Sequence, residues 1–337
     1  MSAVELERSL RICAACMYCD ALCPVFPKLA DKRDYDPADL HYLAHLCHNC
    51  RTCWDVCQYA PPHVFAVDLP AAFAGQRRRS YAEHVWPRWL APAFRRPALG
   101  AALFALAALA TISTLMAAPS PWLLMSGLAS ATLLCACVSL AASALRYWIT
   151  IKPATPNRRP LRALVDIVTL RHLGGELGCS AGRQPLHHLM AAGLGLDLVA
   201  TLSAAALQHI GGIAPPYPLA SLPVLAGAAG GLAALTGAAG LLALEARPAP
   251  HEPGETALNV VLLSAIALVT ASGLALLALR DTAAMRGLLA LHLGMVCGLF
   301  ALLPASKLLH APFRAAALWR AAAEDDVGRR RVSSRDG

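Results

Sequence analysis

Apolar residues run in six long blocks through the last two-thirds of the chain, at about 98–117, 122–146, 187–210, 221–245, 257–279 and 287–311. A helix rising about 1.5 Å per residue needs about 20 residues to cross a hydrocarbon core, and every block is long enough. The pattern predicts six membrane-spanning helices. Small residues recur in the fourth, as Gly227-Ala-Ala-Gly230-Gly231 and Gly237-Ala-Ala-Gly240, a spacing that lets helix backbones approach closely where no hydrophobic drive exists between them. Ahead of the blocks the chain is polar and punctuated. Val4 to Arg11 alternates apolar and charged residues with a helical period, and Asp36-Pro37 reads as the cap of a short helix that delivers Cys47. Pro61 and Pro62 end any helix after Cys57.

Composition agrees with a membrane protein carrying a small soluble part: 57% of the residues are hydrophobic and 15% charged. The net charge of +8 is distributed unevenly. Six Arg lie in 74–97, seven basic residues in 146–183 and six Arg in 312–337, against none in 118–121 or 211–220 and two in 280–286. The positive-inside rule then places both termini in the cytoplasm, as an even number of spans requires. Residues 74–97, with Tyr81, Trp86 and Trp89 among the arginines, read as a membrane-interface connector and not as a nucleic-acid patch. Residues 147–186 read as a cytoplasmic loop and 312–337 as a basic cytoplasmic tail. Gly174-Gly175-Glu176-Leu177-Gly178-Cys179 and His172 lie in that loop, and the glycines lack the lysine and the strand–helix context of a phosphate-binding loop.

The chemistry is concentrated near the start. Of 12 cysteines, eight form two runs, Cys13-x-x-Cys16-x-x-Cys19-x-x-x-Cys23-Pro24 and Cys47-x-x-Cys50-x-x-Cys53-x-x-x-Cys57. This is the spacing with which bacterial-type ferredoxins hold cubane clusters, the fourth cysteine of each run serving the other cluster. The expected sets are Cys13, Cys16, Cys19 and Cys57 for one [4Fe-4S] cluster, and Cys47, Cys50, Cys53 and Cys23 for the second. A zinc site leaves the extra cysteines without a role, and the charged segment Met1–Leu10 gives no reason to expect an oxidising compartment. Cys135, Cys137, Cys179 and Cys297 read as packing residues. His41, His45, His48 and His63 read as surface or supporting residues, since eight thiolates are already present.

Ionisable residues in apolar spans are functional candidates. His187, His188 and His209 flank the third span, and His292 and His310 flank the sixth. The two spans should be antiparallel, which sets His187 or His188 level with His310 and His209 level with His292. His292 and His310 are 18 residues apart, five whole turns, so both face the same way. Such an arrangement suits two stacked bis-histidine b haems, with Lys307 and Arg314 as candidates for binding propionates.

The stretches Leu46-Cys-His-Asn-Cys50, Cys57-Gln-Tyr-Ala-Pro-Pro-His63, His187-His188, Ala214-Pro-Pro-Tyr-Pro218, Gly287-Leu-Leu-Ala-Leu-His-Leu-Gly294 and Lys307-Leu-Leu-His310 resemble the tricarballylate (citrate) utilisation protein B family along essentially the whole chain. The resemblance departs in a shorter middle loop and in His172. It implies a bacterial inner-membrane electron carrier that reoxidises a soluble flavoprotein dehydrogenase acting on a tricarboxylic acid and delivers the electrons to quinone. The expected fold is mainly α: a ferredoxin-like module over 1–73, the connector, two spans over 98–146, the loop, four haem-binding spans over 187–311, and the tail. No acid–base or nucleophile constellation is evident, so the chain reads as a relay and not as the substrate-oxidising subunit. Rival readings are a relay for another flavoprotein, for example in cobalamin ring oxidation, a membrane-anchored redox sensor, and a transporter with an iron–sulfur head.

Overall fold

The computed structural model describes residues 3–29, 32, 34–117, 121–152, 160–169, 182–246 and 252–333. The segment Gly174–Cys179 and His172 lie outside them. Among the described residues the fold is helical without strands: α1 (Ala3–Cys16), α2 (Pro37–Leu46), α3 (Thr52–Asp55), α4 (Leu69–His84), α5 (Ala91–Arg95), α6 (Pro97–Ala117), α7 (Pro121–Ile151), α8 (Pro160–Thr169), α9 (Arg183–His209), α10 (Leu222–Glu245), α11 (Pro253–Ala278), α12 (Met285–Leu302) and α13 (His310–Ser333).

The polar helices begin where side chains can replace missing backbone partners. Asp36 accepts the Asp39 N–H at 2.6 Å ahead of Pro37, so α2 starts where the sequence indicates and its last residue hands the chain to Cys47. Asp68 caps α4 and Glu252 caps α11 in the same way, each with a proline in the first turn. Six helices are long and apolar enough to cross a membrane, those containing Pro97–Ala117, Gly127–Ile151, Arg183–His209, Leu222–Glu245, Pro253–Ala278 and Met285–Ala305. The α9–α10 pair is the most closely packed. A Cβ on Gly237 would lie 2.6 Å from the Met190 nitrogen and 2.7 Å from the Leu186 carbonyl, so only a glycine admits that backbone contact.

Three sequence expectations change. The boundary at 73/74 falls inside α4, and its arginines do not all face lipid: Arg77 is 1% exposed. Trp86 and Trp89 do remain exposed, as an interface belt requires. The sixth span is not one helix to 311. It ends at Leu302, passes through two 3-10 turns on either side of an extended Ser306 (φ −123°, ψ 175°), and resumes at His310; Pro304, which lacks an N–H and clashes with the preceding turn, accounts for the break. Residues 312–333, expected as part of a tail, belong to α13, which runs to Ser333 with Phe313 and Ala317 fully buried.

That last helix locks the N-terminal module to the bundle. One hydrophobic core contains Leu10, Leu43 and Phe73 of the module together with Tyr147, Leu258 and Phe313 of the long helices. Tyr147 and Phe313 stack at 4.2 Å, and the Tyr147 hydroxyl donates to the His41 carbonyl at 3.3 Å. At the rim, Arg320 lies over the Tyr42 ring and donates to Asp39 at 2.9 Å, while Lys28 pairs with Asp325. His41, His45 and His48, read as surface or supporting residues, are buried at this joint.

Candidate functional site

The first cysteine run spans the end of α1. Cys13 and Cys16 occupy its last turn, the chain reverses through Met17 in the left-handed region (φ 50°), and Cys19 precedes a 3-10 turn that leads to an extended Cys23. In the second run Cys47 ends α2, Asn49 and Arg51 take positive φ values of 57° and 68°, and α3 carries Cys53. Each run therefore curls its sulfurs inward over a few residues.

The runs then cross. Cys57 lies with Cys13, Cys16 and Cys19 on the wall of a partly open pocket, which Cys53, Phe26 and Trp54 also line. Burial pushes the Cys13 thiol up to about 12, with Cys57, Cys19 and Cys16 as its charged neighbours. Burial also pushes Cys23 up to about 12, and there the neighbours are Cys47 and Cys50. Thiols held this far from ionisation in an apolar setting become thiolates only when metal replaces the proton. Among the described residues no three His, Cys, Asp or Glu side chains converge tightly enough to hold a single metal ion, whereas a four-iron cube takes its ligands from farther apart. Within the second run, Arg51 Nε and Nη1, Thr52 Oγ1 and Trp54 Nε1 are buried without hydrogen-bond partners, Trp54 also lining the pocket of the first set. These are donors that cluster sulfides would accept, so the residues fit such a group.

Behind the second set lies a buried charge network that the sequence did not reveal. Glu255, at the head of α11, receives two 2.7 Å hydrogen bonds from Arg77, pairs with Lys307 at 3.2 Å, and is approached by Asn49 Nδ2 at 3.5 Å. Arg77 Nη1 also donates to the Ala44 carbonyl at 3.0 Å and to that of Cys47 at 3.4 Å. Arg314 donates to the carbonyls of Cys47 at 2.8 Å and His45 at 3.3 Å. Lys307 and Arg314, expected beside propionates, are thus engaged by Glu255 and by the cysteine loop.

His310 opens α13 one turn before Arg314. Its Nδ1 lies 2.6 Å from the Lys307 carbonyl, which fixes the tautomer and presents Nε2. Burial drives the ring's pKa down to about 3, so it is neutral. The His187 ring lies 6.1 Å away, edge-on, with its own Nδ1 buried and unpartnered. Two nitrogens each about 2 Å from a shared metal would put ring centres about 6 Å apart, so this pair fits axial ligation. His188 is half-buried beside it. The outer pair has no such contact among the described residues: His209 is exposed at the end of α9, while His292 turns to α11, its Nδ1 3.0 Å from Ser272 Oγ and its ring against Gly273. The sequence reading also passed over Asp197, a half-buried carboxylate midway along α9 against Gly230 of α10.

Two family models cover the chain: citrate utilization protein B matches residues 98–332, and the citrate utilization protein B Fer4-like domain matches 6–83. The chain belongs to the citrate utilization protein B family. Among its members, the Citrate utilization protein B of Escherichia coli is 33% identical over 96% of this chain and 93% of its own length. The Fer4-like match falls on both cysteine runs, which marks the N-terminal part of this family member as an iron–sulfur electron-transfer module. No solved structure matches the chain.

Proposed function

We propose that the protein is a membrane relay that takes electrons from a reduced flavoprotein dehydrogenase acting on a citrate-like tricarboxylic acid and delivers them to the quinone pool. The observation that carries this reading is the juxtaposition at α13: His310, facing His187, stands one turn from Arg314, which grips the Cys47 loop. A cysteine-rich module and a histidine pair in the bundle thereby share one helix turn. The crossed neighbours of Cys57 and Cys23 support the two four-thiolate sets, Cys13, Cys16, Cys19 and Cys57, and Cys47, Cys50, Cys53 and Cys23. His187 and His310 would hold a b haem between α9 and α13. When bound, the two [4Fe-4S] clusters and the haem supply one-electron carriers between the two-electron flavin and the quinone. The chain's own residues hold these groups in sequence, exclude water with the aromatic joint, and keep the His310 tautomer fixed. The basic loops support a cytoplasmic module with both termini on that side of a bacterial inner membrane, where a soluble flavoprotein would dock.

A reduced-minus-oxidised optical spectrum of the detergent-purified protein, with haem and iron counted on the same sample, tests the reading. Sharp b-type bands with about eight non-haem irons per chain are expected. His187→Ala and His310→Ala should each abolish the inner haem, whereas His188→Ala should retain it. The haem count also decides whether His209 and His292 carry a second haem. Iron without haem bands would overturn the relay and leave a membrane-anchored iron–sulfur sensor.

A further inference from the structure

The two thiolate sets stand in different electrostatic surroundings. The Cys47 carbonyl accepts from Arg314 at 2.8 Å and from Arg77 at 3.4 Å, and Cys47 Sγ accepts the Asn49 N–H at 3.4 Å. Two cations, Arg77 and Lys307, pair with the Glu255 carboxylate there, and a third, Arg314, donates to backbone carbonyls. Arg51, within the same loop, adds a guanidinium with Nε and Nη1 buried and unpartnered. The contact made to the other set is neutral, Gln58 Nε2 at 3.8 Å from Cys16 Sγ. That set also lies toward the outer surface, next to Tyr18 at 70% exposure, with Val64 and Phe65 exposed nearby along the chain. Net charge, hydrogen bonds to sulfur and exposure are the levers that set cluster potentials.

We propose that Arg314 and Arg77 form an electrostatic clamp that raises the reduction potential on the Cys47 side above that on the Cys13 side, making the Cys13 side the receiving end of the module and the Cys47 side the delivering end toward His310. The inference rests on the relay reading and adds its direction. An added electron is stabilised where buried cations converge, and a guanidinium held 2.8 Å from a ligand's own carbonyl acts at short range in a low-dielectric joint. Arg314 and His310 are four residues apart on α13, about 6 Å along the axis, so the same turn holds the favoured electron site and the next carrier's ligand. Arg77 and Arg314 are positioning residues in this scheme: each touches a backbone carbonyl of the cysteine loop.

The test is an EPR-monitored potentiometric titration of the full chain in detergent, with Cys23→Ser and Cys57→Ser used to assign the two cluster signals. Arg314→Gln should lower the midpoint of the signal altered by Cys23→Ser, by at least tenfold in the electron-sharing equilibrium, about 59 mV for one electron, and leave the other in place. Glu255→Gln, which removes the carboxylate that pairs with Arg77 and Lys307, should move the same signal upward. Opposite signs from two neighbouring variants are not what local unfolding produces. Should Arg314→Gln lose the signal, Arg314→Lys decides: a retained midpoint supports the role of charge, and a fall to the other cluster's value overturns it. Midpoints unmoved by Arg314→Gln, a shift confined to the signal altered by Cys57→Ser, or a downward shift in both variants would also overturn it. Haem bands recorded on the unaltered protein report separately on the relay itself, and their absence would remove both proposals.

Discussion

Glu255 is 3% exposed and lies within hydrogen-bonding reach of two cations, Arg77, which also donates to backbone carbonyls, and Lys307. Such a group is held by its neighbours: attraction offsets the desolvation of each charge only while the set is complete. Glu255→Ala should therefore cost about 3–5 kcal/mol, because it leaves Arg77 and Lys307 buried without their counter-ion. Thermal unfolding in detergent checks this, and a loss below about 1 kcal/mol would mean that water reaches the network. The two cysteine runs were legible at this scale because their spacing is local, neighbours within each triplet standing three residues apart. Glu255 was not. Its partner is 178 residues away in sequence, and an acid heading an apolar span next to a proline reads as an ordinary interfacial cap. Arg77 was misread for the same reason, its composition matching a membrane connector while its partner lay in a distant helix.

At the scale of elements, the glycines of α10 fix where His187 stands. Gly237 touches the backbone of the Leu186–Met190 turn, which carries both His187 and His188. An added methyl cannot be accommodated by a rotamer change, since the atoms it meets are main chain, so the two helices must part. Gly237→Ala should destabilise the protein by about 1–3 kcal/mol, as overpacking does, and should lower the haem content per chain. Gly195→Ala, on the partner helix α9 with nothing within 4 Å, serves as the control and should leave both unchanged. This seam was visible in the sequence as small residues four apart. The break after Leu302 was also signalled, by Pro304, yet a hydropathy pattern runs straight through it, and the five-turn phase between His292 and His310 loses its basis once the helix stops. His310 nonetheless stands beside His187, because the chain resumes its helix there. Helix α13 was hidden for a different reason: its buried apolar positions Phe313, Ala317, Leu318 and Ala321 follow a helical spacing, but the small alanines and the arginines beside them resemble a solvated tail.

For the whole molecule, the joint between module and bundle is lined by histidines that burial keeps neutral. His41 is pushed down to about 4 from 6.5, and His84 and His45 are lowered too, in each case chiefly by loss of water. Around them stand Arg77 and Arg314, which oppose protonation of His45, and Glu83, whose carboxylate is 2.9 Å from His41 Nε2 but largely in solvent and so screened. Above about pH 6.5 these rings are neutral whether the joint is closed or unfolded, and they exact no penalty. As the pH falls from there toward 4, the unfolded state takes up protons that the closed joint refuses, so stability present at neutral pH is lost progressively through that window. For His41 alone the shift corresponds to about 3 kcal/mol. Acid should therefore loosen the seat of α13 on α2 and α4, exposing the linker between Cys57 and Leu69 to protease well before the spanning helices melt in detergent. His41→Asn should flatten the dependence of unfolding temperature on pH between 6.5 and 4 relative to the unaltered protein, and comparing the two at equal iron content separates this effect from acid loss of the clusters. Parallel curves for both proteins would mean that His41 titrates in water, and that the joint is wetter than its packing indicates.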